Sequence, residues 1–222
     1  MTTLSPSQVI ERLSAASPPG LRTAPFAGGG VNGTSGRVRG DHDLSPELYD
    51  PDQPLKPAAV LVPIVAHEVE PTILLTKRTD HLYDHAGQIS FPGGRIDPED
   101  SGPEAAALRE VHEEIGLEER HIRLIGRLDT YVVRTGFEVT PVVGLVHPPF
   151  ELTLDAFEVA EAFEVPLSFF LTPGTKQRQS RIFKGKERFF YVYPYGDYHI
   201  WGATAGMLGN LAEILNPDLV DH

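Results

Sequence analysis

The stretch FPGGRIDPEDSGPEAAALREVHEEIGL, residues 91–117, decides the fold because it leads from a tight turn into an acidic helix. The Pro-Gly-Gly at its start favours the turn. A proline directly after Gly102 favours the first turn of a helix, and Gly116 favours the end of one. Apolar residues between these signals recur at helical spacing, so a helix is predicted over residues 103–116.

This predicted helix has an apolar side and an acidic side. At about 100° of rotation per residue, Leu108, Val111 and Ile115 fall together and are expected to face the core. Ala106 and Ala107 fall within or beside the acidic arc and add little bulk there. The glutamates that share the acidic arc are Glu110, Glu113 and Glu114.

Spacing alone leaves two interpretations of the three glutamates open. Like charges three or four residues apart repel by only ~0.2–0.5 kcal/mol in water, so a solvated acidic face is tolerated. A hard divalent cation, in contrast, binds where several carboxylate oxygens converge. The acidic side is therefore either an ordinary surface or one half of a metal site.

Composition limits the classes of function. The chain has 222 residues, with 19 basic and 31 acidic side chains and a net charge of −12. This balance disfavours non-specific binding to nucleic acid or to an anionic membrane. The absence of cysteine excludes disulfides, thiolate catalysis and cysteine-bound zinc. Without a secretory signal or an apolar run of about 20 residues, a cytoplasmic protein with no membrane partner is predicted.

The chain divides into an extension and a compact domain. Residues 1–55 are predicted to contain a short helix over 5–16, followed by a Gly- and Pro-rich segment. Within that segment, GGGVNGTSG (28–36) lacks the following Gly-Lys-Ser/Thr of a phosphate-binding loop. Residues 56–222 mix apolar strands with helices, which predicts an α/β domain with a mixed sheet. Its strands are expected over residues 58–67, 72–78, 123–133, 138–146, 181–183, 188–193 and 198–201, and a further helix over 204–215.

The helix half of the opening stretch resembles the signature of a known family. REVHEEIGL, residues 109–117, matches Arg-Glu-apolar-x-Glu-Glu-x-Gly-apolar at every fixed position. This pattern resembles the core of the Nudix box of the Nudix hydrolases. In the full box, a glycine and a glutamate precede it at spacings that fall here on Arg95 and Ser101. Gly94 and Asp100 supply similar residue types if the loop is one residue longer.

The resemblance implies both a fold and a chemistry. The implied fold is an α/β/α sandwich with a mixed sheet, and the implied reaction is hydrolysis of a nucleoside diphosphate linked to another group, with Mg2+ or Mn2+. The implied metal ligands are Glu110, Glu113 and Glu114, together with a carbonyl of Gly94. Arg109 is similar to the family arginine that orients a neighbouring carboxylate.

A general base is expected outside the box in many members of this family. The candidates here are Glu158, Glu161 and Glu164, and Glu161 is preferred because it precedes the apolar FEVPL run. Glu113 or Glu114, acting on a metal-bound water, is the alternative.

The preceding stretch resembles one subfamily more closely. LLTKRTDHLYDHAGQISFPGG, residues 74–94, is similar to the motif of the coenzyme A pyrophosphatases, which share the one-residue-longer loop. The implied substrate is coenzyme A or its thioesters. Tyr83 replaces a motif arginine, and tyrosine cannot bind phosphate bidentately as arginine does. The residues expected to contact substrate are Lys77, Arg78, His85 and Gln88.

Other hypotheses stay open at this point. The tyrosine at position 83 motivates ADP-ribose, NADH or a dinucleoside polyphosphate as the substrate. A Nudix-fold binding module without turnover is disfavoured by the intact box, and a homodimer is allowed. Phe189, Phe190, Tyr191 and Trp201 are interpreted as core residues and not as a platform for adenine.

Overall fold

The computed structural model describes residues 3–16, 38–46, 52–81, 86–183 and 185–219. His85, Tyr83 and residues 28–36 lie outside these ranges. The helices are α1 (Pro6–Ala16), α2 (Pro103–Ile115), α3 (Leu167–Phe170) and α4 (Ala203–Leu215). The strands are β1 (Val38–Gly40), β2 (Lys56–Val65), β3 (Thr72–Arg78), β4 (Ile89–Ser90), β5 (Gly93–Arg95), β6 (Ile122–Arg127), β7 (Thr130–Val133), β8 (Phe137–Val146), β9 (Val159–Pro166), β10 (Gln177–Phe183), β11 (Lys186–Tyr195) and β12 (Tyr198–Trp201).

The central layer is a mixed sheet of nine strands, ordered β1-β7-β8-β2-β3-β4, with β5, β6 and β9 paired beside this path. Strands β2 and β8 run parallel at its centre. Strand β2 is a nearly continuous apolar run because both of its faces are buried. Ala59, Leu61 and Val65 pack with α2, whereas Val62 and Ile64 pack with α1 and α4. The result is the predicted α/β/α sandwich.

The predicted hairpin of β2 and β3 opens after its first two pairs. The strands pair only at Ile64–Ile73 and Val65–Thr72. Farther along, β4 pairs with β3 and β5 pairs with β2, so residues 89–95 fill the gap between the separating strands. The Pro-Gly-Gly turn is thereby placed against the centre of the sheet.

Part of the predicted extension belongs to the same core. Val9 and Leu13 of α1 are fully buried, and Arg12 donates a hydrogen bond to the carbonyl of Leu215 at the end of α4. Strand β1 adds to the sheet edge, parallel to β7. The compact part of the molecule therefore includes residues that precede Lys56, where the sequence predicts its beginning.

The predicted strand over residues 123–133 is two strands, β6 and β7, that pair with successive parts of β8. The two strands are separated at Asp129, whose carboxylate is buried. It pairs with Arg39 at 2.9 Å and accepts a hydrogen bond from Asn210 at 3.3 Å. The second sheet, β10-β11-β12, packs on the core through Tyr193 and Ile200. Among the described residues, no helix is long and apolar enough to cross a membrane.

Candidate active site

Helix α2 buries its predicted apolar side together with part of its acidic arc. Val111 and Ile115 are fully buried, as predicted, but so are Ala106 and Ala107. Glu114 is only 6% exposed, whereas Leu108 is partly exposed, so the buried side is rotated toward the acidic arc. The two small alanines allow the helix backbone to approach the sheet, which places Glu114 beneath the helix and rules out a purely solvated acidic face.

The buried carboxylate of Glu114 lies where the turn, β3 and the helix meet. Its Oε2 accepts a hydrogen bond from the N–H of Gly93 at 3.3 Å, and its Oε1 lies 3.9 Å from Nη1 of Arg78. Burial raises the pKa of Glu114 to about 8. The Arg78 charge and the Gly93 N–H oppose this increase, and the negative charges of Glu110 and Glu158 add to it.

Glu110 is half-buried and lies directly against the turn. A Cβ atom at Gly94 would lie 2.3 Å from Oε1 of Glu110, so a glycine is required for this close approach. Burial raises the pKa of the Glu110 carboxylate, although the charge of Arg109 lowers it. The turn and Glu110 therefore form one contiguous surface.

Arg109 connects the loop to the other two acids of its helix. Its Nε and Nη2 donate to the two oxygens of Asp100 at 3.1 and 2.9 Å. Its Nη1 donates to Glu110 and Glu113, both at 3.1 Å. The bond to Asp100 raises the pKa of Arg109 further and lowers the pKa of Asp100. The arginine thus orients two of the three glutamates, and the loop acid holds the arginine in place.

These contacts resolve the spacing of the loop. Gly94, and not Arg95, lies against Glu110 of α2. Asp100, and not Ser101, forms the bidentate pair with the arginine of α2. The structure therefore agrees with the sequence that this segment is one residue longer than in the strict box.

The acids at this end of the molecule have the donor chemistry of a site for a hard cation. Within the described part of the chain, no three His, Cys, Asp or Glu side chains already converge at metal-ligand spacing. The negative charge of Glu158 nevertheless raises the pKa of both Glu110 and Glu114, and the charge of Glu110 adds to the increase at Glu114. A divalent cation would relieve this repulsion, and Mg2+ or Mn2+ prefers such oxygen ligands. The residues present therefore fit these ions.

A cleft of about 540 Å³ opens over these groups. The predicted site residues that line it are Arg78, Gln88, Gly94, Glu110 and Glu114. Those that do not are Lys77, Arg109, Glu113 and Glu161. Glu113 lies at the solvent edge of α2, with 58% of its side chain exposed.

Lys77 and Glu161 lie on the opposite face of the sheet from α2. They are cross-strand partners, and the hydroxyl of Tyr198 donates to Glu161 there. The register shifts by one residue between Lys77 and Arg78. Successive residues of a strand point to opposite faces of the sheet, so Arg78 lies on the α2 side, 3.7 Å from Glu158. Of the three acids considered as general base, Glu158 is the one that lines the cleft.

The wall opposite α2 comes from the smaller sheet. Phe190 and Trp201 are half-buried and line the cleft, so their interpretation as core residues is wrong. Tyr191 does pack against the core, as predicted. Burial decreases from Tyr193 toward the start of β11 because this end of the strand extends past the core.

Three cleft residues carry no signal in the sequence. Asp41 enters from the short 3-10 helix after β1, where the hydroxyl of Tyr131 donates to it at 3.1 Å. Arg181 and Arg188 enter from β10 and β11. None of them belongs to a motif, and only the packing of distant segments brings them to the cleft.

The chain is similar to several known proteins in sequence and in structure. Among solved structures, the C. elegans Ap4A hydrolase in a binary complex has a TM-score of 0.42 at 21% identity, covering 50% of this chain and 80% of that one. An uncharacterized Nudix hydrolase NudL of Enterobacter sp. is 41% identical over 155 residues, which are 70% of this chain and 80% of that protein. The protein of the same name in Photorhabdus laumondii is 40% identical over 156 residues, covering 70% and 83%. The family model described as the NUDIX domain matches residues 55–193. The chain therefore belongs to the Nudix hydrolase family.

Proposed function

We propose that this Nudix hydrolase cleaves the pyrophosphate of coenzyme A, or of its thioesters, to 3′,5′-ADP and 4′-phosphopantetheine or its acyl form. The observation that carries the proposal is a convergence of two motifs in one cleft. Arg78 and Gln88 come from the stretch that resembles the coenzyme A pyrophosphatases, and Glu110 and Glu114 come from the Nudix box. A substrate that contacts one set can contact the other.

The metal would be Mg2+ or Mn2+, held by Glu110, Glu113 and Glu114 with a carbonyl of Gly94. When bound, such an ion neutralises pyrophosphate oxygens and lowers the pKa of a water molecule. The protein itself is strongly acidic, so without a cation its glutamates would repel the substrate. The need to bind a cation explains why several acids lie close together at the α2 end of the cleft.

The protein side chains have separate roles in the proposed reaction. Arg109, fixed by Asp100, keeps Glu110 and Glu113 oriented. Arg78 lies at the wall of the cleft, where its guanidinium can donate to a phosphate oxygen. Glu158 takes the proton of the attacking water. The new bond forms at phosphorus, and the bridging oxygen departs with its electron pair on the leaving phosphate.

A second candidate is the same chemistry on ADP-ribose, NADH or a dinucleoside polyphosphate. It is motivated by Tyr83, which replaces the motif arginine. A cytoplasmic location, a small-molecule nucleotide as the partner and a homodimer stay predictions.

The test is a substrate panel resolved by chromatography. The protein is incubated with Mg2+ or Mn2+ and with coenzyme A, acetyl-coenzyme A, ADP-ribose, NADH or a dinucleoside polyphosphate. Coenzyme A or its thioester is expected to turn over fastest, and EDTA to abolish turnover. Glu114→Gln should lower kcat/KM by about 10³-fold or more, because a bound metal contributes several kcal/mol to the barrier.

Glu118→Gln is the matched control, since Glu118 is an exposed acid just after α2 that pairs with Arg120 outside the cleft. Its activity should equal that of the wild type. Faster cleavage of ADP-ribose than of coenzyme A would favour the second candidate. Absence of turnover on the whole panel, or wild-type activity in Glu114→Gln, would contradict the hydrolase mechanism.

A further inference from the structure

The cleft also has basic residues, and some of them come from a part of the chain that is far in sequence from the α2 glutamates. Although the net charge of the chain is −12, five arginines line this one cavity. They are Arg78, Arg95, Arg134, Arg181 and Arg188. Arg78 is already paired with the catalytic carboxylates, so the unusual group is the pair on the smaller sheet, Arg181 and Arg188.

These two arginines lie directly opposite each other. Arg181 of β10 and Arg188 of β11 are cross-strand partners in an antiparallel ladder, and their side chains leave the sheet on the same face. Like charges in this position destabilise a ladder. Both side chains also line the cleft, so two guanidinium groups lie side by side at a surface that a ligand can reach.

Two aromatic rings complete this wall, which we call the arginine–aromatic wall: Arg181, Arg188, Phe190 and Trp201. The guanidinium of Arg181 lies 4.9 Å from the centre of the Trp201 ring and 5.9 Å from that of Phe190. The two rings lie 5.4 Å apart at 66°. Rings of this kind stack with nucleotide bases, and arginine forks bind phosphate bidentately.

One ligand can contact both ends of the cavity. Its volume of about 540 Å³ lies within the range of roughly 300–1,000 Å³ that is typical of small-molecule sites. The α2 carboxylates and the arginine–aromatic wall line the same space. A nucleotide whose pyrophosphate lies at the acidic end therefore has its remaining groups within reach of the wall.

We infer that Arg181 and Arg188 bind a phosphate monoester of the substrate other than the scissile pyrophosphate, and that Phe190 and Trp201 contact the base of the same nucleotide. This inference rests on the proposed function and refines it. The wall selects nucleotides that carry a phosphate on the ribose in addition to the pyrophosphate. Coenzyme A has such a group, and ADP-ribose and NADH do not.

The experiment uses a substrate pair that differs only in this phosphate, coenzyme A and dephospho-coenzyme A. The wild type is expected to cleave coenzyme A with a kcat/KM about 10–100-fold higher, as for the loss of charge-assisted hydrogen bonds. Arg181→Gln and Arg188→Gln should lower kcat/KM for coenzyme A by a similar factor. Both variants should change the value for dephospho-coenzyme A by less than about threefold, as expected for a group that contacts only the additional phosphate.

Arg178→Gln is the matched control, because Arg178 lies on the same strand but stacks on Phe189 at 4.0 Å and does not line the cleft. It should leave both substrates unaffected. Arg181 is exposed, so its replacement does not disturb the core. Equal cleavage of the two substrates by the wild type, or equal losses on both substrates in the variants, would overturn the inference.

A binding measurement separates this inference from the proposed function. If neither substrate is cleaved, the proposed function fails, and calorimetry with adenosine 3′,5′-bisphosphate and 5′-AMP decides the role of the wall. The bisphosphate should bind at least about tenfold more tightly to the wild type, and Arg188→Gln should remove that difference. Equal binding of both nucleotides to the wild type would overturn the inference.

Discussion

The two faces of the central sheet treat charge in opposite ways. On the α4 side, the acids have partners: Asp129 pairs with Arg39, and Glu161 accepts a hydrogen bond from Tyr198. On the α2 side, half-buried Glu110 and buried Glu114 lie near each other and near Glu158, and their pKa values are raised although Arg109 and Arg78 lie beside them. The first face is arranged as a stable core is, whereas the second retains a repulsion that a ligand can relieve.

This difference indicates where the chain gives up stability for function. A buried carboxylate whose pKa rises to about 8 opposes folding at neutral pH unless a cation compensates it. Such groups are concentrated at functional sites.

The largest effect is expected from two acids of the same chain segment. Glu158→Gln should lower kcat by about 10³-fold, because a general base contributes about 10²–10⁴-fold. Glu161→Gln, on the opposite face, should change kcat by less than about threefold. Steady-state kinetics on coenzyme A with saturating Mg2+ measure both. The reverse order of the two losses would restore Glu161 as the base.

A smaller loss is expected where the turn meets α2. Gly94→Ala places a methyl group 2.3 Å from the Glu110 carboxylate, and the flexible side chain of Glu110 must move away. The fold should survive, but displacement of a metal ligand should lower kcat/KM by about 10²-fold. In a Glu110→Ala background, Gly94→Ala should have little further effect. Additive losses in this double-mutant cycle would contradict a coupling through Glu110.

The third effect is on stability and depends on pH. The pKa of Glu114 is about 8 in the folded protein, against an ordinary value of 4.5. Between these values the unfolded state binds fewer protons, so the stability that this group contributes is lost as the pH rises. Glu114→Gln should therefore stabilise the metal-free protein by about 4 kcal/mol at pH 8, a roughly 10³-fold change in the folding equilibrium, and by almost nothing at pH 4.5.

Urea unfolding in EDTA at the two pH values measures this difference. Glu113→Gln is the control, since 58% of the Glu113 side chain is exposed and its replacement should have little effect at either pH. Addition of Mg2+ should remove the advantage of Glu114→Gln. An unchanged difference between pH 4.5 and pH 8 would show that burial of this carboxylate does not limit stability.

The smallest effect is expected from neighbouring cations on β3. Arg78→Gln should raise KM by about tenfold, as for one charge-assisted hydrogen bond to phosphate. Lys77→Gln should leave KM within about twofold, because Lys77 lies on the other face of the sheet. Substrate titrations measure both values. A larger effect at Lys77 would mean that substrate contacts the α4 side of the strand.

Local patterns predict the helix and the loop of the box well. The start of α2 at Pro103 and its end before Gly116 follow from the conformational preferences of proline and glycine. The two-sided burial of β2 follows from its continuous apolar run. Both depend on interactions between residues that are near in sequence.

The general base and the rotation of α2 were less accessible to such reasoning. Glu158 and Glu161 are three residues apart in similar sequence surroundings, and only the pairing of β9 with β3 shows that Glu161 lies beside Lys77 while Glu158 borders the cleft. The burial of Ala106 and Ala107 depends on the sheet that faces them. The spacing of apolar residues indicates that an element is a helix or a strand. Which of its sides is buried depends on the element that it packs against.

The sequence by itself determined the helix, its three glutamates, the arginine beside them and the longer loop, because spacing along one helix or turn defines these relations. Only the tertiary structure decided that Glu114 is buried, that Glu158 lies at the cleft, and that Arg181 and Arg188 line the same cleft as the α2 glutamates. These arrangements join segments that are far apart in the chain. Their geometry arises from sheet pairing and core packing, which no local spacing encodes.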